Sequence, residues 1–360
     1  MQMRRRWLVP LGALAALAFP ATAAAHTGGH AVFTLANGTS GNRVLVFARG
    51  HDGTLAPAGS VSTGGSGTGV TATTQGALVL SPDGRRLYAV NGGSGTIAVF
   101  AVHGAHLRRL AVVPSGGAGP ASVTAGHGRV YVVNAGALDV VGFRVTGQGL
   151  RRIHGGSVPL ASGDAGPAQV SLNPAGTALA VTNPGSSTID TITLRRDGAI
   201  GRLRSFASAG AAPFGFGFTR DGVLVISDAH QAPTSAATSY RIGHTGALRL
   251  LSGPVSANQL AACWVAIAGR IAYTANAGSG TISAFRVDGH GRLHLRGVAA
   301  SPGSASTPLD ESVTPGGGLL DVLTSGLHSI TSYRIGSGGT LTPVGSVGGL
   351  PAGDTGVASS

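Results

Sequence analysis

The amino-acid sequence predicts an all-β fold, a seven-bladed β-propeller of four-stranded antiparallel blades, on three observations. Composition is the first: 61 glycines, 42% hydrophobic residues and only 11% charged residues describe a turn-rich β chain with ample core. A unit of short strands recurs along the whole chain, and it recurs seven times. Finally, the unit is long enough for four strands, and four strands at this period make a propeller blade.

Residues 78–102 show the unit most clearly, reading LVLSPDGRRLYAVNGGSGTIAVFAV, with LRRLAVV following at 107–113. Its β-branched and aromatic runs are bounded by Gly, Asn, Asp and Pro, as strands joined by tight turns require. A first copy is FTLAN (33–37) with RVLVFAR (43–49). Later copies are RVYVVN (129–134) with LDVVGFRV (138–145), LAVTN (179–183) with TIDTITL (188–194), and VLVISD (223–228) with TSYRI (238–242). IAYTAN (271–276) with TISAFRV (281–287), then LLDVLT (319–324) with SITSYRI (329–335), complete the series.

Equivalent positions after the second strand are Asn37, Asn91, Asn134, Asn183, Asp228, Asn276 and Thr324, at intervals of roughly 43 to 54 residues. Turn capping explains an amide just before a Gly-rich hairpin. A fourth strand is marked by Leu55, Leu107, Leu150, Leu203, Leu248, Leu293 and Leu341. The first copy lacks an innermost strand, and the C-terminal segment 354–359 is placed to supply it by pairing with residues 31–37. Such pairing joins the termini and removes two exposed sheet edges.

Residues 1–25 read as a signal peptide: Arg4, Arg5 and Arg6, an apolar run from Trp7 to Phe19, then small residues up to Ala25. The expected mature chain is one propeller domain, residues 26–360, secreted by the general secretory route or, given the arginines, the twin-arginine route. No later stretch is apolar enough for a membrane span. The formal charge of +12 comes without a basic stripe or interleaved aromatics, so nucleic acid is not an expected partner. Cys263 is the sole cysteine, which excludes an internal disulfide. The histidines offer no convincing metal-ligand spacing, and neither metal nor cofactor is expected.

In a four-stranded meander the loop between strands two and three and the linker to the next blade share one face. Function is expected there, because the opposite face carries only tight turns such as residues 81–84 and 173–176. Aligned inner strands place Ala77, Ser122, Gln169, Gly215, Trp264 and Asp310 in a ring at the channel mouth, with Gln75, Phe214, Cys263 and Glu311 beside it. Asp310 and Glu311 are the acidic pair of this ring, and paired carboxylates in a narrow channel gain raised pKa values suited to acid–base chemistry. They are the candidate catalytic residues. Gln169, Gln75, Trp264, Ser122 and Phe214 are the candidate substrate-binding residues.

The strings LSPDGRRLYAVNGGSGTIAVF (80–100), ACWVAIAGRIAYTANAGSGTISAFRV (262–287) and STPLDESV (306–313) resemble the β-propeller lactonase family, which includes bacterial 6-phosphogluconolactonase and lactonising cycloisomerases. They are most similar to its secreted actinobacterial-type members. The resemblance implies hydrolysis of a lactone at the channel mouth, and it implies an Arg-His pair after a Gly-Pro at the start of an inner strand. Here those strings are Gly119-Pro120-Ala121-Ser122 and Gly166-Pro167-Ala168-Gln169, without the pair. Two expectations follow: a monomeric, exported lactone hydrolase using Asp310 or Glu311, or a non-catalytic propeller holding an envelope ligand on the same face.

Overall fold

A computed structural model describes residues 29–71, 74–160, 166–230 and 235–360. Residues 1–25, read as a signal peptide, lie outside them. The described chain forms seven four-stranded antiparallel sheets arranged as a seven-bladed propeller. Blade 1 takes its inner strand from the C-terminus, Thr355–Ser359, and continues outward through Ala31–Leu35, Arg43–Arg49 and Leu55–Ser62. The other six inner strands are Leu78–Leu80, Pro120–Gly126, Gln169–Leu172, Pro213–Phe218, Ala262–Ala268 and Pro308–Val313, for blades 2 to 7.

The second and third strands of each blade are buried over continuous, largely apolar runs, because both of their faces are covered by neighbouring blades. Outer strands are more exposed, and Leu293–Ala300 alternates toward solvent over most of its length. Accordingly the core is a series of clusters between blades. Val133, Leu179 and Val181 join blades 3 and 4, for example, while Val32, Leu323 and Ile330 join blades 1 and 7. In every blade the register shifts between third and fourth strands, a bulge that tightens the twist needed to close seven sheets into a ring.

The expected closure is present. Val32, Phe33 and Thr34 pair with Ser359, Ala358 and Val357. The Thr34 hydroxyl donates to the Gly356 carbonyl at 2.7 Å, and the Ala31 amide to the Ser360 hydroxyl at 2.7 Å. A buried ion pair reinforces the seam: Arg49, ending the third strand of blade 1, meets Asp321 in the second strand of blade 7. Asp321 also accepts the hydroxyls of Ser332 and of Ser359, the latter at 2.6 Å. One carboxylate thereby links blade 7, blade 1 and the C-terminal strand.

The recurrent asparagines brace hairpins. Asn91, Asn183 and Asn276 donate to the hydroxyls of Thr96, Thr188 and Thr281, and Asn134 to the Asp139 carboxylate at 2.7 Å.

Candidate active site in the channel

Asp310 and Glu311 lie in the inner strand of blade 7, and the chain brings both to a cavity of about 700 Å³. Gln75, Gly76, Gln169, Ser312, Val357 and Ser359 also line it. The cavity reaches the tight turns Ser81-Pro82-Asp83-Gly84 and Pro315, so it opens on the face expected to carry only turns. That expectation is corrected, and the reason lies at the other end of the channel.

There residues 74–76 cross the channel instead of joining the inner strand of blade 2. The Gln75 amide donates to the Val265 carbonyl at 2.8 Å and accepts from the Val265 N–H at 3.1 Å, imitating a strand partner for blade 6. Its backbone N–H meanwhile donates to Ala168 O of blade 4. Trp264 Nε1 donates to the Thr74 carbonyl at 3.2 Å. The crossing requires a glycine on the opposite wall, since a Cβ on Gly215 would lie 2.2 Å from Gln75 Oε1 and 2.5 Å from Cys263 O. It also explains why the inner strand of blade 2 is cut to three residues.

Four of the seven sequence-predicted residues, Asp310, Glu311, Gln75 and Gln169, therefore share one cavity. The other three do not line it. Phe214 and Trp264 stack edge to face with centroids 5.3 Å apart, in an apolar cluster with Leu309. The Ser122 hydroxyl is fully buried and accepts from the Val170 N–H, binding blade 3 to blade 4. Gln169 is likewise occupied, accepting from Phe216 N at 2.6 Å and donating to Phe216 O at 3.0 Å. Inner strands of neighbouring blades diverge too much for regular ladders, so side-chain amides and hydroxyls satisfy the backbone groups left between them.

The carboxylates belong to the same network but keep spare capacity. Asp310 accepts the N–H groups of Glu311 at 3.0 Å and Val357 at 3.3 Å. Glu311 Oε1 accepts from Ala266 N at 2.9 Å, whereas Glu311 Oε2 is buried without a hydrogen-bond partner. Burial pushes the Asp310 carboxyl up to about 7, partly offset by its backbone donors. Glu311 is pushed well above its ordinary range by burial and by the neighbouring Asp310 charge. Among the described residues lining the cavity there is no arginine, and His30 is the only basic side chain. Burial also pushes the Cys263 thiol up to about 12, too high for a thiolate nucleophile at neutral pH.

The Asp321–Arg49 clasp and the crossing of residues 74–76 were not anticipated from the sequence. An aspartate inside the apolar run LLDVLT was the available signal for the first. A non-repeating Gln-Gly before a shortened strand was the weaker signal for the second.

Residues 38–149 match the family model described as lactonase, 7-bladed beta-propeller, which bears out the resemblance read from the sequence. In three dimensions the chain is similar to putative 6-phosphogluconolactonases from Bacteroides fragilis and Bacteroides uniformis. The first is 18% identical with a TM-score of 0.73, covering 93% of this chain and 99% of that one. The second is 17% identical with a TM-score of 0.74, covering 92% and 100%. A periplasmic gluconolactonase from Pseudomonas aeruginosa is 18% identical with a TM-score of 0.60, covering 76% and 83%. At such identities the structural likeness establishes the fold. No curated protein matches the chain in sequence.

Proposed function

We propose that this lactonase-type propeller hydrolyses an uncharged lactone in the channel cavity, with Glu311 and Asp310 as the reacting carboxyl groups. The observation that carries the reading is the buried, unpartnered Oε2 of Glu311 beside a second carboxyl group whose pKa lies near 7. Burial favours the protonated form of Glu311, and in that form it can donate a hydrogen bond to the lactone carbonyl oxygen as negative charge develops there. Asp310, in its ionised form, accepts a proton from water as the water oxygen bonds to the carbonyl carbon. When the ring C–O bond breaks, that proton passes to the leaving alkoxide, and the product is a hydroxy acid.

The lining supports an uncharged substrate. A sugar phosphate would enter a cavity lined by three carboxyl groups, Asp83, Asp310 and Glu311, with no arginine among the described lining residues to pair its charge, and an unpaired buried charge is costly. The missing Arg-His pair points the same way.

A specific observation favours a second reading, a binding propeller without turnover. Asp310 and Glu311 are each only 4% exposed, and Gln75 and Gln169 spend both ends of their amides on backbone groups. Export belongs to the proposal as well, supported by Arg4–Arg6 and the apolar run after them. N-terminal sequencing of the extracellular protein should then begin at His26.

Hydrolysis is tested by pH-stat on the purified chain with uncharged aliphatic and sugar lactones, beside Glu311→Gln and Asp310→Asn. Each variant should retain the fold and lose about 10²-fold or more in kcat. Absence of turnover on every lactone, with saturable lactone binding retained, would establish the binding reading instead.

A further inference from the structure

Beyond Arg6 the sequence carries one to four arginines per repeat, and the register of blade 3 brings three of its four into one row. Arg129 of the second strand (Arg129–Asn134) lies directly opposite Arg144 of the third (Asp139–Val145). Arg144 in turn lies opposite Arg151 of the fourth (Leu150–Pro159). Directly opposed residues share a sheet face and sit about 5 Å apart, so three guanidinium stems form one ladder.

The repeat alone does not produce this. Equivalent triplets are Ala31, Ala48 and Ala56 in blade 1; Arg86, Ala101 and Arg108 in blade 2; and Val223, Arg241 and Arg249 in blade 5. Like charges directly opposite one another disfavour the sheet; blade 5 carries one such pair, Arg241 and Arg249, and blade 3 carries two in succession.

Two rungs of the ladder, Arg129 and Arg144, are held by uncharged acceptors. Arg129 donates to the carbonyl of Arg196 and Arg144 to that of Asp197 at 3.0 Å, both on the turn of blade 4. Gly198 in that turn, at φ +90°, admits Arg129 at close range, since a Cβ there would lie 2.7 Å from its Cδ. Among the described residues no carboxylate forms an ion pair with Arg129, Arg144, Arg151 or Arg152, whereas Arg241 and Arg270 share Asp221. Beside the ladder is a cavity of about 400 Å³ lined by Arg144, Arg151, Arg152, Ile153, His154 and Asp197.

We infer that blade 3 carries an anion-binding site, built on Arg129, Arg144 and Arg151, for a ligand with successive phosphate groups. Guanidinium groups bind phosphate oxygens in a bidentate fashion, and fixed carbonyl contacts leave little side-chain entropy to lose on binding. The site lies away from the channel and is independent of the lactone chemistry.

Inorganic tripolyphosphate is the probe, titrated calorimetrically into the full chain. Saturable binding is expected, weakened about tenfold or more in Arg144→Gln/Arg151→Gln. The control Arg286→Gln/Arg292→Gln removes the same charge from exposed positions in blade 6 and should change affinity less than about twofold. Removing opposed like charges should leave the melting temperature of the blade 3 variant equal or higher, and Arg152→Gln provides a second, separate loss of affinity. Absence of saturable binding, or equal weakening by both double variants, overturns the site. Citrate binding as tightly as tripolyphosphate overturns the assignment to phosphate.

Discussion

The seam where the ring closes should depend on Asp321 more than on any other polar side chain. Asp321 is fully buried and Arg49 is 5% exposed, so neither charge is relieved by water. Asp321→Asn keeps the shape but removes the charge, leaving the guanidinium buried opposite an amide. Breaking a buried pair in this way costs about 3–5 kcal/mol. The upper half of that range is expected here, because the same carboxylate accepts the Ser332 and Ser359 hydroxyls and an amide oxygen cannot serve all three donors. Against a total stability of about 5–15 kcal/mol, that is a large fraction. The assay is guanidinium chloride denaturation followed by fluorescence of Trp264, the one tryptophan among the described residues. Arg49→Met/Asp321→Leu, which removes both charges, should recover most of the loss and come within about 2 kcal/mol of the parent. A single-variant loss below about 1 kcal/mol, or a double variant no more stable than the single, would refute the reasoning.

Truncation after Asp354 removes the inner strand of blade 1 and exposes the edge of Ala31–Leu35; the product should unfold or aggregate, seen as loss of the melting transition and of the monomer peak in gel filtration. Gly215→Ala should displace Gln75 from Val265 and red-shift Trp264 emission, because the new methyl group would meet Gln75 Oε1 at 2.2 Å; an unchanged spectrum would show that the crossing segment is not fixed there. Stability should fall as pH rises from 5 to 8. Burial raises Asp310 and Asp228 to about 7, Asp354 to about 6 and Glu311 well above its ordinary range, so the folded chain holds protons that the unfolded chain releases from about pH 4 upward. The stabilisation from Asp310, Asp228 and Asp354 is complete below the ordinary carboxyl value and is lost as pH rises through about 6–7, Glu311 acts in the same direction, and the lowered groups Asp52, Asp83, Asp221 and Asp288 act only below about pH 4. Melting temperatures that are flat or rising across this range would contradict the burial of Asp228, Asp310, Glu311 and Asp354.

Much of the architecture was legible because each blade repeats the same local signals. Pro-Asp-Gly and Asn-Gly-Gly turns mark hairpins, and apolar runs mark strands buried on both faces. The missing inner strand of the first repeat and the unpaired strand at the C-terminus were each visible alone, and edge avoidance was enough to join them. For the site, the sequence located Asp310 and Glu311 on an inner strand, but it assigned them to the wrong face of the ring. The face is decided by residues 74–76, which block the other end of the channel through contacts with blades 4 and 6 that no local pattern announces.

By itself the sequence determined the blade count, the strand order, the mode of closure and the acidic pair, all of which follow from short-range patterns at a fixed period. Only the tertiary structure decided what depends on pairs distant in the chain: the end of the channel that Gln75 blocks, the Arg49–Asp321 clasp and the arginine ladder of blade 3. Local turn and strand chemistry is written within a few consecutive residues. A contact between residues 75 and 265, or 49 and 321, depends on how far each blade turns from the last, and that angle is set by packing summed around the whole ring.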